Sequence, residues 1–203
     1  RGGRSRMKEL VFLLEEESAK AMLESLLPRL LDQGIKPRLI PFQGKRDLEK
    51  QMVKRMKGYL NPDARFIVLR DQDSAPDCRK VKAALLKNCE LAGRSANSVV
   101  RIACRELESF YLADLQAVEQ GLCLDKLAKY QGSAKFRQPD ALGNPSKELA
   151  ALTGNHYQKV GSSRAIGRFL DLDNERSPSF KNLIQGIRRL EHELLRLPGD
   201  SLP

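Results

Sequence analysis

Phe66-Ile67-Val68-Leu69-Arg70-Asp71-Gln72-Asp73-Ser74 is the stretch whose reading decides the fold of this chain. Apolar residues in a continuous run, without alternation, are the pattern of a strand buried on both faces. The run stops at two carboxylates one residue apart, Asp71 and Asp73. In an open α/β sheet, ligands bind outside the carboxyl ends of the strands. Paired carboxylates at such an end offer hard oxygen donors of the kind that suit Mg²⁺ or Mn²⁺. The plainer alternative is local: Asp73 or Ser74 caps the next helix and Asp71 closes a turn.

Upstream, Leu10 to Leu14 reads as another buried strand, followed at once by Glu15, Glu16 and Glu17. Met22, Leu23, Leu26, Leu27, Leu30 and Leu31 then recur at helical spacing, with Ser18 as the start signal and Gly34 as the stop. Arg38 to Phe42 is a weaker strand, and Pro41 marks it as an edge. Leu48, Met52, Val53 and Met56 trace a second helix with a basic outer face. Downstream, Ala75-Pro76 opens a helix that Gly93 ends, and Ser98 to Ala103 is a fourth strand. Arg105-Glu106-Leu107-Glu108 leads into an apolar helix running through Phe110, Tyr111, Leu112, Leu115 and Val118.

The alternation predicts an α/β fold: a parallel sheet of about four strands with right-handed crossovers and helices on both faces. After Gly121 the chain turns basic and broken, and helix-start signals at Asn144-Pro145 and Ser177-Pro178 predict a mainly helical extension. The expected organisation is an appended or unstructured lead at 1–6, an α/β core at 7–121, and a basic helical extension at 122–203 packed on the core.

The chain has 203 residues with 41% hydrophobic content, ordinary for one globular domain with an extension. Lys and Arg number 36 against 26 acidic residues, a net charge of +10, which favours an anionic partner, most simply nucleic acid. Cys78, Cys89, Cys104 and Cys123 show no C-x-x-C spacing and there are 2 histidines, which argues against a structural zinc site and implies no disulfide. Scattered thiols fit a reducing cytoplasm. The longest early apolar run, Leu10 to Leu14, falls far short of the ~20 residues that span a membrane. With no signal-peptide pattern either, a cytoplasmic protein with no membrane partner is expected.

Carboxylates follow three of the predicted strands: Glu15 to Glu17, Asp71 with Asp73, and Glu106 with Glu108. Parallel strands point their carboxyl ends the same way, so these acids gather on one edge. Like charges brought together raise one another's pKa values unless a cation neutralises them. A divalent metal resolves this economically.

A family resemblance rests on the same residues. Val11-Phe12-Leu13-Leu14-Glu15-Glu16-Glu17-Ser18 resembles the hydrophobic-then-Glu motif of Toprim domains, found in topoisomerases, primases and OLD-type nucleases. Glu15 takes the glutamate position, and Glu16 stands where that family usually has glycine. Val68-Leu69-Arg70-Asp71-Gln72-Asp73-Ser74 resembles its Asp-x-Asp motif. Arg105-Glu106-Leu107-Glu108-Ser109-Phe110-Tyr111-Leu112 looks like the Glu-containing segment of OLD-type members, with Glu108 the first choice of ligand and Glu106 the second. The whole chain is similar to small stand-alone Toprim-like proteins encoded beside ABC-type ATPases in bacterial defence islands. The resemblance implies Mg²⁺ or Mn²⁺ held by Asp71, Asp73 and Glu108, with Glu15 a further ligand or general base. It implies metal-assisted hydrolysis of a nucleic-acid phosphodiester by water, and an ABC-type or OLD-like ATPase as partner.

In the basic half, Lys147, Lys159, Arg164 and Arg137 are the candidate nucleic-acid contacts, with Tyr130, Phe136 and Tyr157 among them as stacking candidates. Gly161-Ser162-Ser163 reads as a flexible loop able to approach a phosphate. The amphipathic stretch Phe180 to Leu194 packs within the chain or in a homo-oligomer. The competing function is a non-catalytic basic module that binds nucleic acid or docks on an ATPase. An aspartyl-phosphate phosphatase and a nucleotide-sugar transferase also use Asp-x-Asp, but the placement after the third strand and the basic charge rank both lower.

Overall fold

The computed structural model describes residues 7–197. Four strands form one parallel sheet: β1 (Glu9–Leu14), β2 (Lys36–Pro41), β3 (Arg65–Asp71) and β4 (Ser98–Ala103), in the order β2-β1-β3-β4. β1 and β3 are buried along almost their whole length, as their unbroken apolar runs require. β2 is the exposed edge that its prolines suit. The strand order reverses between β1 and β3, and Leu14 lies beside Leu69 there. This is the topological switch point, where a crevice opens at the carboxyl ends.

Alternation along the strands divides the core in two. Val11, Leu13, Phe66, Val68 and Val100 meet α2 (Lys45–Lys57) and α3 (Cys78–Leu91) on one face. Leu10, Phe12, Leu14, Ile67, Leu69 and Val99 share the other face with α1 (Glu17–Leu26) and the later helices. Those are α4 (Glu108–Leu112), α5 (Leu115–Leu122), α6 (Pro145–Leu152), α7 (Lys159–Gly167) and α8 (Pro178–Leu195). The segment after Gly121 therefore shares a continuous core with the sheet. α8 buries Phe180, Leu183, Ile184, Ile187 and Leu190, and Phe180 packs on Phe110 at 5.2 Å between ring centroids. No helix among the described residues is long and apolar enough to cross a membrane.

Several local expectations are corrected. The first helix begins after Glu16 rather than at Ser18, and it passes at Leu27 into a 3-10 turn containing Pro28, well before Gly34. Proline at 28 lacks the N–H that would continue the ladder. The third helix starts at Cys78, capped by Asp77, whose carboxylate accepts from Arg79 N at 2.8 Å. The helix expected through Val118 is two helices, because Asp114 caps a new one through Ala117 N at 3.0 Å. Gly161-Ser162-Ser163 is not a loop but the middle of α7, with both serines buried. The lead at 1–6 lies outside the described residues.

Candidate functional site at the carboxyl edge

The chain leaves β1 and β3 side by side. Glu15 N donates to Leu69 O at 3.2 Å, which carries the ladder one residue past β1. In return, Asp71 N donates to Glu15 Oε2 at 3.1 Å across the switch point. β3 and β4 are tied just beyond their ends: Gln72 N donates to Ala103 O at 2.9 Å and Asp73 N to Arg105 O at 2.6 Å. Asp73 and Arg105 both adopt left-handed backbone, at φ 55° and 62°. That conformation is uncommon for residues with a Cβ, more so for arginine than for aspartate. The buried Gln72 spans the gap, accepting from Arg105 N at 3.3 Å and donating to Ala75 O at 2.8 Å. The two exits are thus held rigidly by backbone.

Alternation sends the acids to two sides of the edge. Asp71 falls on the α1/α4/α7 side. The residue keeps a partly exposed outline, but its carboxyl is crowded by protein. Desolvation first, then the charges of Glu15, Glu108 and Glu16, push its pKa well above the ordinary 3.8, and an N–H from Leu107 opposes them. Glu108, which opens α4, is 2% exposed. Its Oε1 accepts from Tyr157 Oη at 2.8 Å. Burial raises its pKa, with the Tyr157 hydroxyl acting the other way. Burial, then the neighbouring Tyr111 and Glu108, drive the Tyr157 hydroxyl far up, so it stays a protonated donor.

Tyr111 lies beside Tyr157, with ring centroids 6.3 Å apart. It is wholly buried; burial drives its hydroxyl pKa far up, the Ser163 hydroxyl beside it acts the other way, and the charges of Glu108, Asp71 and Glu16 all reach it. On the rim, Lys159 Nζ of α7 pairs with Glu16 at 2.6 Å. Partial burial draws this ammonium's pKa down, but the bond and charge of Glu16 outweigh that and leave it raised.

On the α2 side, the buried Arg70 donates Nη1 to Glu49 at 2.8 Å and holds Nε 3.8 Å from Glu15. That Nε has no hydrogen-bond partner. Lys45, the first residue of α2, reaches Asp73 at 2.8 Å. Burial raises the pKa of Glu15 and the charge of Asp73 adds to it, against the Asp71 N–H and the Arg70 guanidinium.

Of the residues expected at this site, Asp71 stands between Glu108 on its own side and Glu15 across the edge, whose charges both reach it, with Asp73 on the rim. Glu106 is turned aside: its Oε2 accepts from Ser146 N at 2.7 Å and caps α6, whose own Asn144 supplies no side-chain cap. Among the described residues, no group of three or more His, Cys, Asp or Glu side chains is placed to hold a metal ion. Lys159 reaches the edge. Arg164 instead pairs with Glu24, and Arg137 and Lys147 are exposed. Phe136 is buried in the core, and Tyr157 faces the acids rather than a strand of nucleic acid.

Sequence reasoning missed Arg70, Lys45, Tyr111 and the pairing of Glu16. Arg70 carried a signal, a charged residue inside an apolar strand run.

Fold and site together define an α/β protein whose doubly covered parallel sheet carries a buried acidic cluster at its switch point. The chain belongs to a family described as a domain of unknown function, DUF4276, whose model matches residues 14–188. No curated protein and no solved structure matches it.

Proposed function

We propose that the protein is a divalent-cation-dependent phosphodiesterase that hydrolyses nucleic acid at this carboxyl edge. The observation that carries the reading is the enclosed Asp71 carboxyl at the switch point, reached by the charges of Glu15 and Glu108, with the pKa of all three raised. Carboxylates held together against their own repulsion suit a cation. The donor type is right, oxygen only as Mg²⁺ or Mn²⁺ requires, and the acids as placed here would have to draw closer to form one coordination set. Asp71 and Glu108 would hold the ion, Asp73 would join them only on leaving Lys45, and Glu15 would be a further ligand or the base that takes a proton from water. When bound, the ion supplies positive charge to the phosphoryl oxygens and the leaving group.

The chain's own residues do the rest. Tyr157 holds Glu108 in place through its hydroxyl. Arg70 and Lys159 flank the cluster from its two sides and would orient a phosphate arriving there. The net charge of +10 draws a polyanion toward the protein. The resemblance to defence-associated Toprim proteins supports an effector role with an ABC-type ATPase partner.

A second reading has its own observation. Glu16, Glu49 and Asp73 already pair with Lys159, Arg70 and Lys45. An edge so neutralised suits a non-catalytic module that binds nucleic acid or docks on an ATPase.

Cleavage of plasmid DNA and total tRNA with Mg²⁺, Mn²⁺ or EDTA, beside Asp71→Ala, tests the choice. Metal-dependent cleavage lost in the variant is expected. Cleavage that survives EDTA or the substitution overturns the first reading. A folded protein that cleaves nothing, even with the ATPase, supports the second.

A further inference from the structure

A cleft of about 490 Å³ opens just beyond the C-terminal end of α4, bounded by α5, the turn around Ala128 and Gln131, and the segment from Phe169 to Arg176. Its floor is rigid, because the polar groups there are committed to the fold. Asp114 accepts from Ala117 N at 3.0 Å and Asp171 N at 2.8 Å. Gln131 accepts from Leu115 N at 2.7 Å and donates to Leu112 O and Phe136 O, both at 3.0 Å. Asn174 donates to Ala113 O at 2.8 Å. The side chains left to meet a ligand are the exposed Gln116, Gln120, Phe169 and Arg176, with the exposed Asp171, whose Oδ1 accepts from Asp173 N at 3.0 Å, as the carboxylate that a phosphate must avoid.

Phe169 is 45% exposed. It and Tyr130 are the exposed aromatics among the described residues; Phe169 lines the cleft, and Tyr130 sits in the turn whose Ala128 and Gln131 line it. Lys129 Nζ stands 5.0 Å from the Tyr130 ring centroid. An uncovered aromatic face, two free amides and a guanidinium around one polar cleft form the combination that binds a nucleotide. The ring stacks a base, amides read its edge, and the cation meets a phosphate. A duplex keeps its bases stacked on one another, so only a single strand presents a base to such a ring.

Resting on the nucleic-acid reading above, we infer that this cleft takes one unstacked nucleotide of a single strand, its base on Phe169, its edge toward Gln116 and Gln120, and its phosphate toward Arg176. α4 begins at Glu108 and ends at the cleft wall. Five helical residues rise ~7.5 Å, so the cleft and the acidic edge lie at the two ends of one short buried helix.

The test is fluorescence anisotropy in EDTA with labelled oligo(dT), oligo(U) and a DNA duplex, using the full chain, Phe169→Ala and Arg176→Gln. Both positions are exposed, and thermal melts check that each variant is folded. The wild type should prefer a single strand to the duplex. Phe169→Ala should weaken single-strand binding by about 5- to 150-fold, the range of one lost stacked base. Arg176→Gln should lower the slope of log affinity against log salt by about 0.7, as for one lost phosphate contact. Comparing oligo(dT) with oligo(U) identifies the sugar. Equal single-strand binding by the wild type and both folded variants overturns the inference, as does a wild type that binds no single strand. The acidic-edge reading fails separately, in the cleavage assay with Asp71→Ala: the cleft stands if Phe169→Ala loses binding while cleavage ignores Asp71.

Discussion

Gly167→Ala should lower stability through a single collision, and its size follows from the geometry. α7 crosses α1 so closely that a Cβ at position 167 would meet the Met22 carbonyl oxygen at 2.6 Å and its Cα at 3.2 Å. Ordinary contact begins at 3.4 Å, so two backbones must part by roughly 0.8 Å in a close-packed interior. Overpacking of this kind costs about 1–3 kcal/mol. For a domain of this size that lowers the melting midpoint by roughly 2–12 °C. Gly161→Ala, six positions earlier on the same helix, is the control. It is exposed, with no atom within 4 Å of the added methyl. It should gain about 0.5–1 kcal/mol, because alanine loses less backbone freedom in a helix. Differential scanning calorimetry of the two variants measures both. A Gly167→Ala midpoint at or above that of Gly161→Ala would refute the close approach of α7 to α1, and with it the placement of Lys159 on the acidic edge.

Asp71, Glu15 and Glu108 all have raised folded-state pKa values, so the native state binds their protons more tightly than the unfolded chain does. Stability should therefore fall as pH climbs from their ordinary values of 3.8 and 4.5 through the raised ones, and added Mg²⁺ should restore the melting midpoint at neutral pH. Asp71→Asn keeps an acceptor for Leu107 N while removing the charge. It should melt higher than wild type at neutral pH, with a flatter pH profile and no response to Mg²⁺; a lower midpoint would contradict the crowding of that carboxyl. Glu106→Ala should cost about 1 kcal/mol through the lost α6 cap and leave metal-dependent cleavage in place, whereas loss of cleavage in a folded variant would return Glu106 to the ligand set. Tyr157→Phe removes the donor to Glu108, and by linkage should raise that carboxyl's pKa further, as carboxyl-carbon NMR would register.

The sheet was legible because β1 and β3 are unbroken apolar runs, and the edge position of β2 because of Pro41. The gathering of acids followed from strand direction alone: once the sheet is parallel, Glu15 and Asp71 share an edge. The errors have physical reasons too. Gly161-Ser162-Ser163 has the composition of a loop, but burial against α1 makes it helix, with Ser163 Oγ donating to Lys159 O at 2.5 Å. Asp114 hides a helix break inside an apolar run. Pro28 was a visible stop that the leucine spacing obscured. The partners of Glu16, Glu49, Asp73 and Glu106 come from elements far away in sequence, so no local pattern could have paired them.

Those pairings separate the acids into two kinds. The rim acids Glu16, Glu49 and Asp73 each have a lysine or arginine within 3 Å. Their charge is met inside the molecule and contributes little attraction for an ion. Asp71 and Glu108, the more enclosed pair, are absent from the ion pairs of the described residues. They are served by a backbone N–H and by a phenol. The charge of Lys159 reaches both, but its ammonium is paired with Glu16 at 2.6 Å, unlike Lys45, which pairs directly with Asp73. A buried carboxylate pair without a cation must take up a proton or an ion. The two occupants are distinguishable: a proton leaves as pH rises and the pair destabilises the fold, whereas a divalent cation binds more tightly as the same protons leave. Opposite pH trends in stability and in Mn²⁺ affinity would thus identify Asp71 and Glu108 as the ion's seat, and parallel trends would leave them as a protonated structural pair.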